Sequence, residues 1–142
     1  MTPVSPVTAF AVRLPPGADL RRELIAFARS HGLRAAAVLT CVGSLSAYAL
    51  RFAAQPAGTH RTGNFEIVSL VGTLSATAAH LHASLADETG TTVGGHVTDG
   101  CVVRTTAEVV LAELPALTFD RRPDPATGYE ELVVLPRVSG GG

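Results

Sequence analysis

Tryptophan is absent from this 142-residue chain, aromatic residues make up only 5% of it, and charged residues only 16%. Proteins that bind nucleic acid usually carry clustered Lys or Arg side chains, often with aromatic rings on which bases stack. Here 11 basic and 12 acidic residues give a net charge of -1, and the longest basic runs are the pairs Arg21-Arg22 and Arg121-Arg122. We therefore expect no tight, sequence-specific DNA binding by the isolated chain.

Long hydrophobic runs are missing too, since no segment approaches the roughly 18 to 20 apolar residues of a membrane-spanning helix. The first residues, MTPVSPVTAF, contain neither the basic region nor the apolar region of a secretory signal. The two cysteines, Cys41 and Cys101, are too few for a disulfide framework. These features predict a cytoplasmic protein, outside the membrane, whose cysteines remain thiols.

The length and the 46% of hydrophobic residues fit one domain with a sizeable core. We predict this domain over residues 8–135 and a flexible tail over residues 136–142, which ends in SGGG. The low charge content is also typical of a chain that buries part of its surface in an oligomer.

The hydrophobic pattern predicts one main helix and about seven strands. Apolar residues recur at helical spacing over residues 19–31, with Asp19 as the expected N-cap and Gly32 as the terminating residue. Strands are predicted over residues 7–14, 35–42, 45–52, 65–74, 102–114 and 131–135, together with a hairpin around residues 80–97. Residues 55–63 and 120–128 are predicted as a polar loop and a turn-rich segment. Residues 105–114 also fit a short helix, but their β-branched residues favour a strand. The fold class is therefore α+β with a largely antiparallel sheet.

Three histidines in the hairpin give the clearest indication of chemistry. In the segment AHLHASLA, His80 and His82 alternate with apolar residues, as in a half-buried strand whose polar face carries both rings. Residues 88–90 then form a three-residue turn in which Gly90 supplies a left-handed conformation. If Asp87 pairs with Thr91, His96 on the returning strand lies opposite His82 and diagonal to His80.

All three imidazoles then share one face of the hairpin, at cross-strand spacings of roughly 4.5 to 8 Å that rings can bridge to one ion. Zinc binds imidazole nitrogen at about 2.0 to 2.1 Å. The sequence therefore predicts a zinc site at His80, His82 and His96, although each ring alone fits an ordinary hydrogen-bonded strand residue. The neighbouring pair Gly94-Gly95 is typical of a place where another group approaches the backbone closely.

Three nitrogen ligands leave a fourth position for water or substrate, which is the arrangement of catalytic zinc. Cys101 is predicted to lie on the face opposite His96, as a buried thiol rather than a ligand. Such a site could support lyase or hydrolase chemistry on a small polar molecule. A non-enzymatic role in regulation or protein interaction remains the alternative.

Candidate proton carriers are the carboxylates Glu66 and Glu108. Glu66 stands among apolar residues, so it could be a buried carboxylate with a raised pKa, or it could form a structural ion pair across subunits with Arg51 or Arg104. Glu108 and Asp99 could orient a histidine through its second ring nitrogen, and each fits a solvated strand residue equally well.

Several segments in order along the chain resemble one known family. The segments RLPPGADL, VGSL, GNFEIVSLVGTL, HLHASLAD, GGHVTDGCVV and TTAEVVLAEL are together similar to the plants and prokaryotes conserved domain, PPC for short, from about Thr8 to Leu135. Plant members carry the domain after a DNA-binding AT-hook. This sequence has no Arg-Gly-Arg-Pro hook before Thr8 and is similar to the stand-alone prokaryotic type.

The resemblance implies an α+β fold with an antiparallel sheet, assembled as a homotrimer. It also implies zinc held by histidines of the H-x-H and G-G-H motifs, as in some prokaryotic members. These motifs correspond to His80, His82 and His96, which plant versions lack.

Overall fold

The structure, a computed structural model, describes residues 2–138. Its elements in chain order are β1 (Thr8–Leu14), α1 (Leu20–Ser30), β2 (Ala36–Arg51), β3 (Thr59–Leu74), β4 (Ala79–Ala86), β5 (Thr92–Val97), β6 (Val102–Glu113), β7 (Leu117–Pro123) and β8 (Glu130–Pro136). All the strand pairings are antiparallel, which confirms the predicted fold class. The helix, of 11 residues, is not long and apolar enough to cross a membrane.

Six strands form the main sheet in the order β1-β6-β2-β3-β4-β5, while β7 and β8 pair as a separate hairpin. β2 also pairs with β5 at the end of the sheet, through Leu50 with Val97 and Arg51 with His96. β2, β3, β4 and β5 therefore form a closed ring of four strands. β5 is consequently held between two neighbours instead of ending the sheet as a free edge.

The helix covers one face of the sheet and buries its apolar stripe against it. Leu20, Leu24 and Ala28 are completely buried, and they belong to one hydrophobic cluster with strand residues that include Leu81, Leu85, Val97, Val109 and Leu111. Removing so much apolar surface from water is the main favourable contribution to folding.

The helix begins and ends where the sequence predicts. An Asp19 carboxylate oxygen accepts a hydrogen bond from the backbone N–H of Arg22 at 3.1 Å, and its other oxygen accepts one from Gly100 at 2.6 Å. Gly32 adopts the left-handed φ of 64° just beyond the helix. The cap therefore also ties the start of α1 to the turn before β6.

Three local predictions are wrong. Residues 36–51 form one strand instead of two, because Gly43 lets β6 approach so closely that a Cβ there would lie 2.8 Å from Ala107 Cα. The polar segment 59–63 is paired with β2 and forms the start of β3. The segment from Asp120 to Pro123, predicted as part of a turn-rich stretch, belongs to β7, one of the eight strands of residues 2–138. In each case pairing with a distant strand overrides local composition.

The end of the chain is only partly described. Pro136, which the predicted tail included, pairs with Leu117, and the backbone N–H of Arg137 donates to the carbonyl of Ala116 at 2.7 Å. Residues 139–142, the remainder of that predicted tail, lie outside the described residues.

Candidate metal centre

The β4–β5 hairpin has the register that the sequence predicts. Its turn is closed by a 2.9 Å hydrogen bond from the N–H of Asp87 to the carbonyl of Thr91, and Gly90 has the positive φ of 83°. His82 consequently pairs directly with His96. The apolar side chains between the histidines, Leu81 and Ala83, point to the opposite, buried face.

The three imidazole rings converge on the polar face of this hairpin. Nε2 of His80 lies 3.2 Å from Nε2 of His82, and one nitrogen from each of the three rings lies within 4.8 Å of the others. Nitrogens that share a zinc ion at about 2.1 Å are at most about 4.2 Å apart. Small ring rotations therefore suffice for all three to coordinate one ion.

Burial and nearby positive charge favour the neutral form of two of these rings, His96 and His80. Desolvation is the largest cause that lowers the pKa of His96 to about 4, followed by the positive charge of Arg51. The pKa of His80 is also lowered, chiefly by desolvation and then by His82. Only a neutral imidazole has a lone pair for a metal, so these two rings are ready to bind one at neutral pH.

Gly95 allows the strand that carries His96 to lie against β2. A Cβ at Gly95 would be 2.8 Å from the carbonyl oxygen of Arg51 and 3.3 Å from Cδ1 of Phe52. The predicted close approach at the glycine pair is therefore a backbone approach by β2. It places Arg51 beside His96.

The histidines lie on the wall of an open cavity of about 1030 Å³. The cavity is lined by β4 and β5, by the turn that follows Arg51, and by Tyr129 from the connection between β7 and β8. Tyr129 is 66% exposed, and Ala54 in the turn after β2 has the left-handed φ of 57°. A ligand bound to a metal at this site would have room beside it.

Sequence reasoning missed the charged groups that surround the rings. Arg121 and Glu131, from the β7–β8 hairpin, act on the pKa of His80 in opposite directions, Arg121 lowering it and Glu131 raising it. Arg121 also donates a 3.2 Å hydrogen bond to the hydroxyl of Thr73, the β3 residue that pairs with His80. No spacing in the sequence indicates that this distant hairpin folds back onto the histidines.

The carboxylates predicted as catalytic candidates do not join the histidines. Glu66 on β3 and Glu108 on β6 are both exposed and line no part of the cavity. The prediction that Glu66 is buried is wrong, because its apolar neighbour Val68 is itself 59% exposed on the outer face of the sheet. Within residues 2–138 no salt bridge involves Glu66.

Two other predicted residues also have structural partners elsewhere. Asp99 forms a 2.9 Å ion pair with Arg21, so it does not orient a histidine. Cys101 is completely buried and its thiol donates to the carbonyl of Ala49 at 3.5 Å. Burial raises the pKa of Cys101 to about 11, as expected for an inert thiol, and within the described residues the cluster of possible ligands contains only the three histidines.

Imidazole nitrogens suit zinc and other late transition-metal ions better than Mg²⁺ or Ca²⁺, which prefer oxygen. The three nitrogen donors, the open cavity beside them and the pairing of β5 on both sides therefore fit a metal ion with an exchangeable fourth ligand.

Comparison with known proteins agrees with the motifs in the sequence. Residues 1–115 match the model of the Plants and Prokaryotes Conserved (PCC) domain, the family called PPC above. The chain belongs to this family. The chain is 46% identical over 134 residues to a bifunctional protein GlmU from Synechococcus sp. (strain JA-2-3B'a(2-13)), a match that covers 94% of this chain and 21% of that protein. The chain thus spans about a fifth of the length of the curated relatives it matches.

Solved structures share the fold over almost the whole chain. A hypothetical protein from Salmonella cholerae-suis is 47% identical, with 96% of this chain and 99% of that chain covered and a TM-score of 0.94. A metal-containing protein from Archaeoglobus fulgidus is 24% identical, with 93% and 99% covered and a TM-score of 0.74. The PCC fold of this chain is therefore well represented among solved structures.

Proposed function

We propose that this PCC-domain protein binds one zinc ion through His80, His82 and His96 and uses it to bind or transform a small polar molecule in the adjacent cavity. The observation that carries the proposal is the convergence of three imidazole nitrogens within 4.8 Å on the wall of an open cavity. The metal content of the Archaeoglobus fulgidus protein of the same fold supports it.

The chemistry that zinc supplies in such a site is polarisation of a carbonyl oxygen or activation of water at a pKa of about 7. The three histidines would hold the ion and leave one position open. Arg51 and Arg121 would attract negative charge towards the rings, and Tyr129 would contact a ligand from the far side of the cavity. This arrangement suits lyase or hydrolase chemistry on a small polar metabolite.

Glu131 is the carboxylate that we propose as proton carrier or as the group that orients His80, in place of Glu66 and Glu108. It is half-buried on β8, and its negative charge raises the pKa of His80. A carboxylate that accepts from the second ring nitrogen of a metal-bound histidine fixes the ring and makes it a better ligand.

We also propose that the protein assembles as a homotrimer in the cytoplasm. On β2 and β3, which pair with each other, four large apolar side chains remain 56–60% exposed: Leu39, Val42, Val68 and Val71. Val71 also lines the cavity beside the histidines. Exposed apolar side chains grouped on neighbouring strands usually mark an interaction surface. Burial of the patch against copies of the same chain would agree with the low charge content and with the resemblance to trimeric family members.

The alternative is a non-enzymatic regulatory or interaction module. It is favoured by one observation, namely that a region 46% identical to this chain makes up only a fifth of a longer bifunctional protein in Synechococcus. In that case the metal would support a docking surface, and no turnover would depend on it.

The direct test is metal analysis of the purified protein together with competition against a chromogenic chelator. Binding of one zinc per chain, with an affinity that a fourth-site ligand such as azide or imidazole modulates, is the expected result. Failure to bind zinc stoichiometrically after reconstitution would refute the proposal. Retention of zinc without any response to added fourth-site ligands would instead indicate a closed structural site.

A further inference from the structure

We propose that the cavity beside the histidines recognises an oxyanion group, the carboxylate or phosphate of a small molecule, and that the guanidinium of Arg51 is its principal binding group. This inference rests on the proposed metal site and names the class of ligand that site would take.

Arg51 stands at the point where the ring of four strands closes. It is the last residue of β2, it pairs with His96 on β5, and it lines the cavity. Directly paired residues of antiparallel strands carry their side chains on the same face, so the Arg51 side chain lies on the face of the sheet that carries His96. An anion bound in the cavity could therefore contact Arg51 and a metal held by the histidines together.

Arg51 has no acidic partner in the part of the chain that the structure describes. The three salt bridges among residues 2–138 join Arg21 to Asp99, Arg122 to Asp120 and Arg137 to Glu113. Among the same residues 2–138, no side-chain hydrogen bond is donated by Arg51, and Arg51 is only partly exposed. A guanidinium in this situation is available to a ligand.

The charge balance around the histidines favours an anion. An imidazole that binds a metal carries no charge, so the three histidines would not offset the two positive charges of a zinc ion, and Arg51 and Arg121 add two more positive charges that act on His80. Glu131 is the one carboxylate among the charged groups that act on His80. Opposite charges attract strongly in a partly desolvated site, so a negatively charged ligand would be stabilised there more than a neutral one of the same size.

The turn after Arg51 gives a second reason to expect a ligand at this wall. Ala54 is the non-glycine residue with a positive φ, 57°, within the described chain, and the turn is closed by the N–H of Gln55 donating to the carbonyl of Phe52 at 3.2 Å. Backbone held in a sparsely populated conformation tends to occur at binding sites. Ala54 and Gln55 both line the cavity next to Arg51.

A guanidinium presents its N–H groups in a planar fork that matches two oxygens of a carboxylate or phosphate. The ammonium of a lysine carries the same charge but lacks the planar pair of N–H groups that matches two oxygens. Arg51→Lys should therefore retain part of the anion affinity, while Arg51→Gln should lose most of it.

The experiment uses protein loaded with Co²⁺, whose visible absorption reports the fourth ligand. Acetate, inorganic phosphate and neutral acetamide are titrated into wild type, Arg51→Gln, Arg51→Lys and a control, Arg22→Gln, which removes the same charge from an exposed position on α1. We expect acetate or phosphate to shift the spectrum and acetamide to leave it unchanged. Arg51→Gln should weaken the anion by about tenfold or more, and Arg22→Gln should bind like wild type.

The responding anion identifies the source of the oxyanion, acetate for carboxylates and phosphate for phosphorylated ligands. Equal anion affinity in wild type and Arg51→Gln, or a response to neither anion, would overturn the inference. If wild type takes up no Co²⁺, the proposed metal function fails separately. The anion is then titrated into metal-free protein while the NMR signals of Tyr129 and His96 are followed. A shift of these signals that Arg51→Gln abolishes would still support the oxyanion site. If the anion causes no shift in wild type, the oxyanion site is refuted.

Discussion

His82 on β4 lies directly opposite His96 on β5, with their ring centroids 5.7 Å apart. The backbone of two paired strands therefore sets the separation of these rings before any metal arrives. Most of the ordering that a metal site requires is supplied by the folding of the hairpin, unlike in a zinc finger, which has no other core.

Replacing one of these rings should remove the metal and leave the fold intact. His82 is exposed and contributes nothing to the hydrophobic core, so His82→Ala should stay folded while zinc falls well below one per chain. Elemental analysis with circular dichroism checks both expectations. His60→Ala, on the exposed start of β3 and outside the cavity, is the control and should keep its zinc; full zinc retention in His82→Ala would show that the metal lies elsewhere.

The affinity for zinc should fall as the pH is lowered through the pKa values of the rings. In the metal-free protein, desolvation and then Arg51 lower the pKa of His96 from 6.5 to about 4, and the pKa of His80 is lowered as well. The folded state therefore takes up these protons less readily than the unfolded state. Below about pH 6.5 the unfolded state binds a proton at His96 that the folded state does not yet bind. The free energy of unfolding of metal-free protein is therefore highest above about pH 6.5 and falls as the pH is lowered towards about 4.

NMR titration of metal-free protein tests this directly. The pKa of His96 should lie well below its ordinary value. Arg51→Gln should raise this pKa, because the positive charge that disfavours the protonated ring is removed. A His96 pKa at or above 6.5 in wild type would contradict the proposed environment.

Gly95→Ala should weaken the metal site through the backbone. Its Cβ would lie 2.8 Å from the carbonyl oxygen of Arg51, so β5 must move away from β2 and carry His96 with it. We expect a loss of about 1 to 3 kcal/mol in the free energy of unfolding and weaker zinc binding, measured by urea denaturation and chelator competition. Gly58→Ala is the control, because its Cβ would have its nearest contact at 3.6 Å, and it should change neither the free energy of unfolding nor the affinity for zinc appreciably. Wild-type stability and zinc affinity in Gly95→Ala would mean that the close approach of β5 to β2 is unimportant for the site.

Light scattering should give three chain masses for the protein in solution. Val68→Asp places a charge in the exposed apolar patch of β2 and β3 and should shift the protein to smaller species, because a buried, unpaired carboxylate is costly. Val4→Asp, at a position that is 84% exposed, should leave the assembly unchanged. A wild-type monomer at micromolar concentration, or a trimer that tolerates Val68→Asp, would exclude the proposed interface.

The isolated protein should not bind duplex DNA tightly at physiological ionic strength. Affinity for duplex DNA depends on several contacts between phosphates and Lys or Arg, each weakened by salt, and the net charge here is -1. Fluorescence anisotropy with labelled duplexes measures this, and submicromolar binding would prove the prediction wrong.

The sequence predicts the convergence of the three histidines well because their arrangement depends on local rules. Alternation along β4 places His80 and His82 on one face, and the short turn with Gly90 sets the pairing with His96. The helix cap at Asp19 is equally local. Predictions that depend on a few neighbouring residues and one turn could therefore be made without the structure.

The surroundings of the histidines depend instead on contacts between distant segments. Arg51 reaches the site because β2 pairs with β5, and Glu131 reaches it because the β7–β8 hairpin folds back. The burial of Glu66 is predicted wrongly because β3 carries apolar side chains on both faces, with Val68 exposed on the outside and Ile67 buried inside. Alternation alone does not reveal which apolar face is buried in the chain's own core.

The closure of β2 onto β5 has a consequence for the choice among metal ions. Donors on a flexible loop can rearrange for each ion, and their preference then follows the general affinity order in which Cu²⁺ exceeds Zn²⁺. Here β5 is paired on both sides, so the backbone positions of the three histidines are fixed and only their rings can turn. If the histidines hold a metal ion, we expect this fixed backbone to favour the tetrahedral geometry of Zn²⁺ over the square-planar geometry of Cu²⁺.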